Sequence, residues 1–192
     1  VQGIKFFEQY FHSHHVLKLN DRNLTNLGLL YDHEAMINFK KRKGLENKAR
    51  YNYQEALKLN PKFYPAWWGL GRIFWHNNDK RSLPYAKKAY RIAKKVKAKD
   101  VGQFAQNIAL IYKKLGDDRK AEYWFKRGLK ESPKEWGVHY NLMCFYLNEK
   151  PNTLKAQGLA KKLKEILKTK NKSNRWLKEV YALVNKTTEL SS

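Results

Sequence analysis

At 192 residues the chain is long enough for one domain with a sizeable core, and 42% hydrophobic with 14% aromatic content excludes wholesale disorder. Forty Lys and Arg against 17 Asp and Glu leave a net charge of +23, a statement about solubility and anionic partners rather than about fold. One cysteine, Cys144, excludes an internal disulfide framework, and no apolar run approaches the ~18 residues that a bilayer span needs.

Residues 1–20 carry Phe6, Phe7, Tyr10 and Phe11, then Leu17 and Leu19. They read as the second helix of a truncated unit whose first helix is missing, as in a fragment of a longer protein. Residues 21–63 form a first full unit, with Leu27, Gly28 and Tyr31 followed by Ala49, Tyr53, Ala56 and Pro61. In residues 64–100 the same ladder reads Trp67, Leu70, Gly71 and Phe74, then Ala86, Tyr90 and Ala93. Residues 101–135 repeat it with Ala105, Ile108, Ala109, Tyr112 and Gly116, then Ala121, Phe125, Gly128 and Pro133. A divergent fourth unit, 136–169, has His139, Leu142, Met143 and Tyr146, then Ala156, Ala160 and Leu163. Finally Trp176, Leu177, Val180, Tyr181 and Val184 predict an amphipathic capping helix and tail over 170–192.

Each landmark has a physical reason. Small residues such as Gly28, Gly71, Ala109, Ala86 and Ala121 suit places where two helices cross closely, and the aromatics beside them fill the remaining space. Ala86, Ala89, Tyr90, Ala93 and Val96 recur at three and four, the mark of a buried helical stripe. Pro61 and Pro133 end the preceding helices, Asp100 with Gln103 reads as a capping box, and Ser173 stands where a helix begins. The spacing from Gly28 to Gly71 is 43, from Gly71 to Ala109 38, and from Ala109 to Met143 34. The two excesses predict loop insertions near residues 36–47 and 76–82.

This ladder resembles the tetratricopeptide repeat, W-x2-L-G-x2-Y, then A-x3-F, then P, over about residues 21–169. The resemblance implies an all-α, right-handed superhelical solenoid of helix-turn-helix repeats that binds a protein or peptide in its concave groove, as a scaffold or adaptor in a larger assembly. By analogy with the family, the groove-facing residues are Thr25, Leu29 and Asp32; Trp68, Arg72 and Trp75; Gln106, Leu110 and Lys113; and Tyr140, Cys144 and Leu147. Among them Trp68, Arg72, Trp75, Gln106, Lys113 and Tyr140 are the expected partner-binding set. Tryptophan and arginine are the residue types enriched at binding hot spots, and Arg72 and Lys113 could pair with an acidic ligand's carboxylates. The chaperone-binding subtype needs lysine, asparagine and arginine where this chain holds Thr25, Leu29, Gln106 and Leu110, so that ligand class is not expected.

The charge is uneven. Residues 87–99 hold seven cations and no acid, and 155–186 hold ten cations against two carboxylates. Lys87, Lys88, Arg91, Lys94, Lys95, Lys161 and Lys162 therefore define an alternative, a basic outer face for nucleic acid or an anionic membrane. A third cluster is Lys40, Lys41, Arg42 and Lys43. No enzyme is expected, because no phosphate loop, nucleophile elbow or H-E-x-x-H helix occurs, and Cys144 and His139 lie five apart, off a common helix face. Among the histidines only His12, His14 and His15 cluster, without companion ligands for a structural zinc, so neither metal nor cofactor is expected.

Overall fold

In a computed structural model, residues 20–149, 151–168 and 175–189 are described, and among them regular structure is helical throughout. The expected half unit at 1–20 lies outside the described residues except for Asn20, and Ser173 lies outside them too. Among the described residues nine α-helices follow in order: α1 Asp21–Ile37, α2 Arg42–Leu59, α3 Tyr64–His76, α4 Ser82–Lys95, α5 Val101–Lys114, α6 Asp118–Glu131, α7 Trp136–Asn148, α8 Thr153–Leu167 and α9 Arg175–Glu189. A 3-10 turn, Phe39–Lys41, joins α1 to α2. They form two compact units, one ending at Val96 and the other starting at Lys97.

Local chemistry sets the ends. The Asn20 side chain accepts from the Asn23 amide at 2.8 Å, Asp117 from Lys120 at 3.0 Å and Asn152 from Lys155 at 3.0 Å, each satisfying an amide that the helix itself leaves bare. Asp100 starts α5 without a side-chain capping bond, so the capping box expected of Asp100 and Gln103 does not form. At the end of α5, Gly116 sits at φ 75°, where the Asp117 amide bonds Tyr112 and the Gly116 amide bonds Lys113. This left-handed turn favours glycine because it has no Cβ. Asn78, at φ 57°, closes α3 in the same way.

In the first unit α1 pairs with α2 and α3 with α4, while α3 also packs on α1 and α2. The Tyr53 ring, 1% exposed, fills the gap between α1 and α3. A Cβ placed on Gly69 would stand 2.4 Å from that ring and one on Gly28 2.8 Å from it, whereas at Gly71 the nearest atom is 3.2 Å away. Gly69, which the repeat ladder did not single out, is therefore the tighter position on α3. Trp67 and Phe74 both stack on Tyr85 of α4, with centroids 6.0 and 5.3 Å apart, and the Trp67 indole donates to the Pro61 carbonyl at 2.8 Å. Ala86, Ala89, Tyr90 and Ala93 are buried, but Val96 is 55% exposed and ends the stripe early.

The second unit pairs α5 with α6 and α7 with α8, and α9 lies on α8. Gly102 and Gly128 allow α5 and α6 to touch: a Cβ on Gly102 would lie 2.4 Å from Ser132 Cβ. Ser132 Oγ accepts from the Gly102 amide at 3.1 Å. Val180, Val184 and Thr187 are the buried side of α9; the side chains of Trp176, Leu177 and Tyr181 lie outside the described residues.

The long first repeat is not built as expected. Residues 36–47 are almost wholly helix or 3-10 turn, and the additional length extends α1 and α2 to 17 and 18 residues, against 14 each for α5 and α6. Polar residues there ride on exposed helix faces, so their polarity did not mark a loop. Residues 77–81 do form a turn region between α3 and α4.

Gly69→Ala is expected to lower stability by about 1–3 kcal/mol through overpacking, despite alanine's better helix propensity. Gly71→Ala should cost less. Urea unfolding of both variants checks the order, and equal losses would contradict the role given to Tyr53.

Candidate partner-binding site

Trp68, Arg72 and Trp75 lie four and three residues apart on α3, which puts them on one helix face. All three are half-buried, neither sealed in the core nor fully exposed. Arg72 Nη2 meets Asp32 Oδ2 on α1 at 2.9 Å, with the side chains 20% and 2% exposed. The guanidinium that sequence alone offers to a ligand's carboxylate thus already holds one from its own chain. Thr25 and Asp32 are buried, whereas Leu29 is 42% exposed beside them on α1. Burial pushes the Asp32 carboxyl above its ordinary value, outweighing the attraction of Arg72. The Tyr53 hydroxyl is also pushed up, by burial first and by the nearby Asp32 charge second.

In the second unit Gln106 and Lys113 stand on α5 and Tyr140 on α7, all half-buried. Lys113 Nζ contacts Glu149 Oε1 at 2.6 Å, so this cation too has an internal carboxylate. Burial raises the Tyr140 hydroxyl and the Cys144 thiol above their usual values, which keeps the thiol protonated at neutral pH. His139 is buried and bonded through Nδ1 to the Glu135 carbonyl at 3.1 Å. Sequence reasoning missed Glu122: its buried carboxylate accepts from the Tyr146 hydroxyl at 2.7 Å and pairs with Lys126 at 2.8 Å. A glutamate on the amphipathic α6 reads as surface until the neighbouring helix is in place.

The outer lysines are partly gathered. Lys88, Arg91 and Lys95 of α4 surround a shallow groove of about 570 Å³ together with Lys62, and Ile92 and Val96 line it as well. Lys62, in the turn before α3, was not among the expected residues, because it is distant in sequence from the run at 87–99. Lys88 Nζ lies 3.6 Å from the centroid of the Trp67 ring, which fixes one wall. Lys94 Nζ stands 6.0 Å from the Tyr90 ring and Lys87 is half-buried; neither lines the groove. Lys161 and Lys162 are exposed on α8 of the second unit. Among the described residues no group of three His, Cys, Asp or Glu side chains could hold a metal.

No family model matches the chain, and no curated protein matches it. Solved structures do. BtubC from P. vanneervenii is 16% identical, with a TM-score of 0.65 over 97% of this chain and 80% of that one. The C-terminal part of a TPR repeat-containing protein from Cytophaga hutchinsonii is 17% identical, with a TM-score of 0.61 over 95% and 65%. A chain of an APC/C hetero-tetramer is 18% identical, with a TM-score of 0.63 over 89% of this chain but 30% of its own length. At these identities the likeness carries the fold: this chain has the tetratricopeptide-repeat fold, an all-α arrangement of helix-turn-helix repeats.

Because the folded Asp32 carboxyl binds its proton more tightly than the unfolded one at 3.8, its titration favours folding below that value. This contribution fades as pH rises through the folded value. Urea unfolding across the acid range should find the wild type losing stability relative to Asp32→Asn over that window, and parallel pH profiles would contradict it. Arg72→Met, which leaves the buried carboxylate without its cation, should cost about 3 kcal/mol at neutral pH.

Proposed function

We propose that this protein is a protein-interaction module, and that the α3 face bearing Trp68, Arg72 and Trp75 is its main contact for a partner protein or peptide. The carrying observation is the pair of half-buried tryptophans on one helix face, with Arg72 between them pinned by Asp32. An arginine pinned by Asp32 contributes little free charge, so affinity comes from covering the rings rather than from capturing an acidic ligand. In the second unit Gln106, Lys113 and Tyr140 are the residues proposed to contact a partner. The fold supports this reading, since stacked helix pairs present side chains from successive repeats. One similar chain comes from a hetero-tetramer, which is a protein assembly.

Capture of partners from extract on the immobilised chain, identified by mass spectrometry and then measured one by one, tests it. Trp68→Ala should keep the thermal midpoint of the wild type and weaken binding of the captured partner by about thirtyfold, a hot-spot loss. Unchanged binding, or a loss of folding equal to that of Gly69→Leu, would remove the α3 face as the contact.

A second reading rests on the outer groove, where Lys62, Lys88, Arg91 and Lys95 converge. Four cations over an aliphatic floor suit a nucleic-acid backbone. For single strands, four phosphate contacts give a slope of log affinity against log salt near −3, by ~0.7 per contact. A gel shift at two salt concentrations, with Lys88→Glu, Arg91→Glu and Lys95→Glu combined, separates this reading from the first: absence of a shift, or a shift that survives the charge reversal, would eliminate it.

A further inference from the structure

The turn between α1 and α2 carries a feature that neither reading uses. Met36, Ile37 and Phe39 are 43%, 64% and 75% exposed, an apolar group on a surface that is otherwise strongly cationic. Directly beyond them Lys40, Lys41 and Lys43 are exposed as well. No acidic residue occurs from 35 to 45. The flanking carboxylates are engaged elsewhere, with Glu34 buried and Glu46 paired to Arg42 at 2.9 Å.

The turn is also braced. Arg42 donates to Asn77 at the end of α3 at 3.3 Å, Asn77 donates to Glu46 at 3.2 Å and to the Ile73 carbonyl at 2.9 Å, and Leu45 packs on the core. Asn38 accepts from the Lys41 amide at 3.3 Å, which holds the 3-10 turn. Bracing means that the backbone carrying the apolar side chains needs little further ordering on binding.

We propose that this turn is a peripheral anchor for an anionic lipid surface: Met36, Ile37 and Phe39 enter the headgroup layer while Lys40, Lys41 and Lys43 pair with lipid phosphates and carboxylates. Projecting side chains suit a bilayer, because acyl chains close around them, whereas a protein would need a preformed pocket for each. Lysine stems can lie along apolar surface while their ammonium groups reach headgroup level. Nucleic acid would use Phe39 for stacking but leave Ile37 and Met36 without a role. Among the described residues no helix is long and apolar enough to cross a membrane, and the anchor is interfacial. It uses none of the residues assigned to the α3 face or the outer groove, so its variants leave both unchanged.

Vesicle co-sedimentation of the full chain tests it, using phosphatidylcholine with and without about 30% phosphatidylserine. The wild type should sediment with the anionic vesicles only, and less at high salt. Ile37→Ser with Phe39→Ser should weaken binding by roughly tenfold or more at unchanged net charge. Lys40→Gln, Lys41→Gln and Lys43→Gln together should weaken it about a hundredfold. Since these side chains are exposed, the variants should melt with the wild type; Phe39→Ser alone serves if the double variant does not. Three results would overturn the proposal: no binding to anionic vesicles at low salt, unaltered binding by the serine variants, or loss only when Lys88, Arg91 and Lys95 are reversed.

Discussion

Helices of a repeat cross most closely where one of them offers no side chain at the contact, and each unit contains such a crossing. In the first, one tyrosine ring occupies the space that Gly28 and Gly69 leave, so α1, α2 and α3 share a single filled joint. In the second, Gly102 lies against Ser132 and the backbone of Gly128, and the serine hydroxyl uses the proximity for a bond to the Gly102 amide. Dense packing transmits the condition outward: with the joint fixed, the neighbouring alanines and aromatics have one arrangement that leaves no void.

Each unit also holds a buried carboxylate across a contact between helices. Asp32 is held by Arg72 across α1 and α3, and Glu122 by Tyr146 across α6 and α7 and by Lys126 on its own helix. Breaking either contact would strand a charge in a dry setting, so these pairs specify which helix faces meet more than they add net stability. They also redistribute the chemistry available to a partner. Arg72 is committed to Asp32, and what α3 offers is ring surface.

The excess of positive charge is likewise partitioned by the fold. Some cations sit over rings, as Lys120 does over Tyr112, and Lys88 does so over Trp67 while also lining the outer groove. Others converge on the outer groove or follow the apolar turn after α1. A single figure for net charge combines all three roles, although their energetics and their sensitivity to salt differ.

The all-helical class was legible from the sequence, because the recurrence of small and aromatic residues at helical spacing has one physical solution, stacked helix pairs. So were Ala49, Tyr53, Ala86, Ala121 and Phe125 as core, all of them buried. The importance of Gly69 over Gly71 was not legible, for it depends on which glycine faces a ring sixteen residues upstream on another helix. Nor was the commitment of Arg72 to Asp32, forty residues away, nor the placement of Lys62 beside Arg91, nor the extension of α1 and α2 in place of a loop. Sequence periodicity reports which residues share a face of one helix; which face meets which is decided only when the helices pack, and there the charges of this protein are assigned to its interior or to its partners.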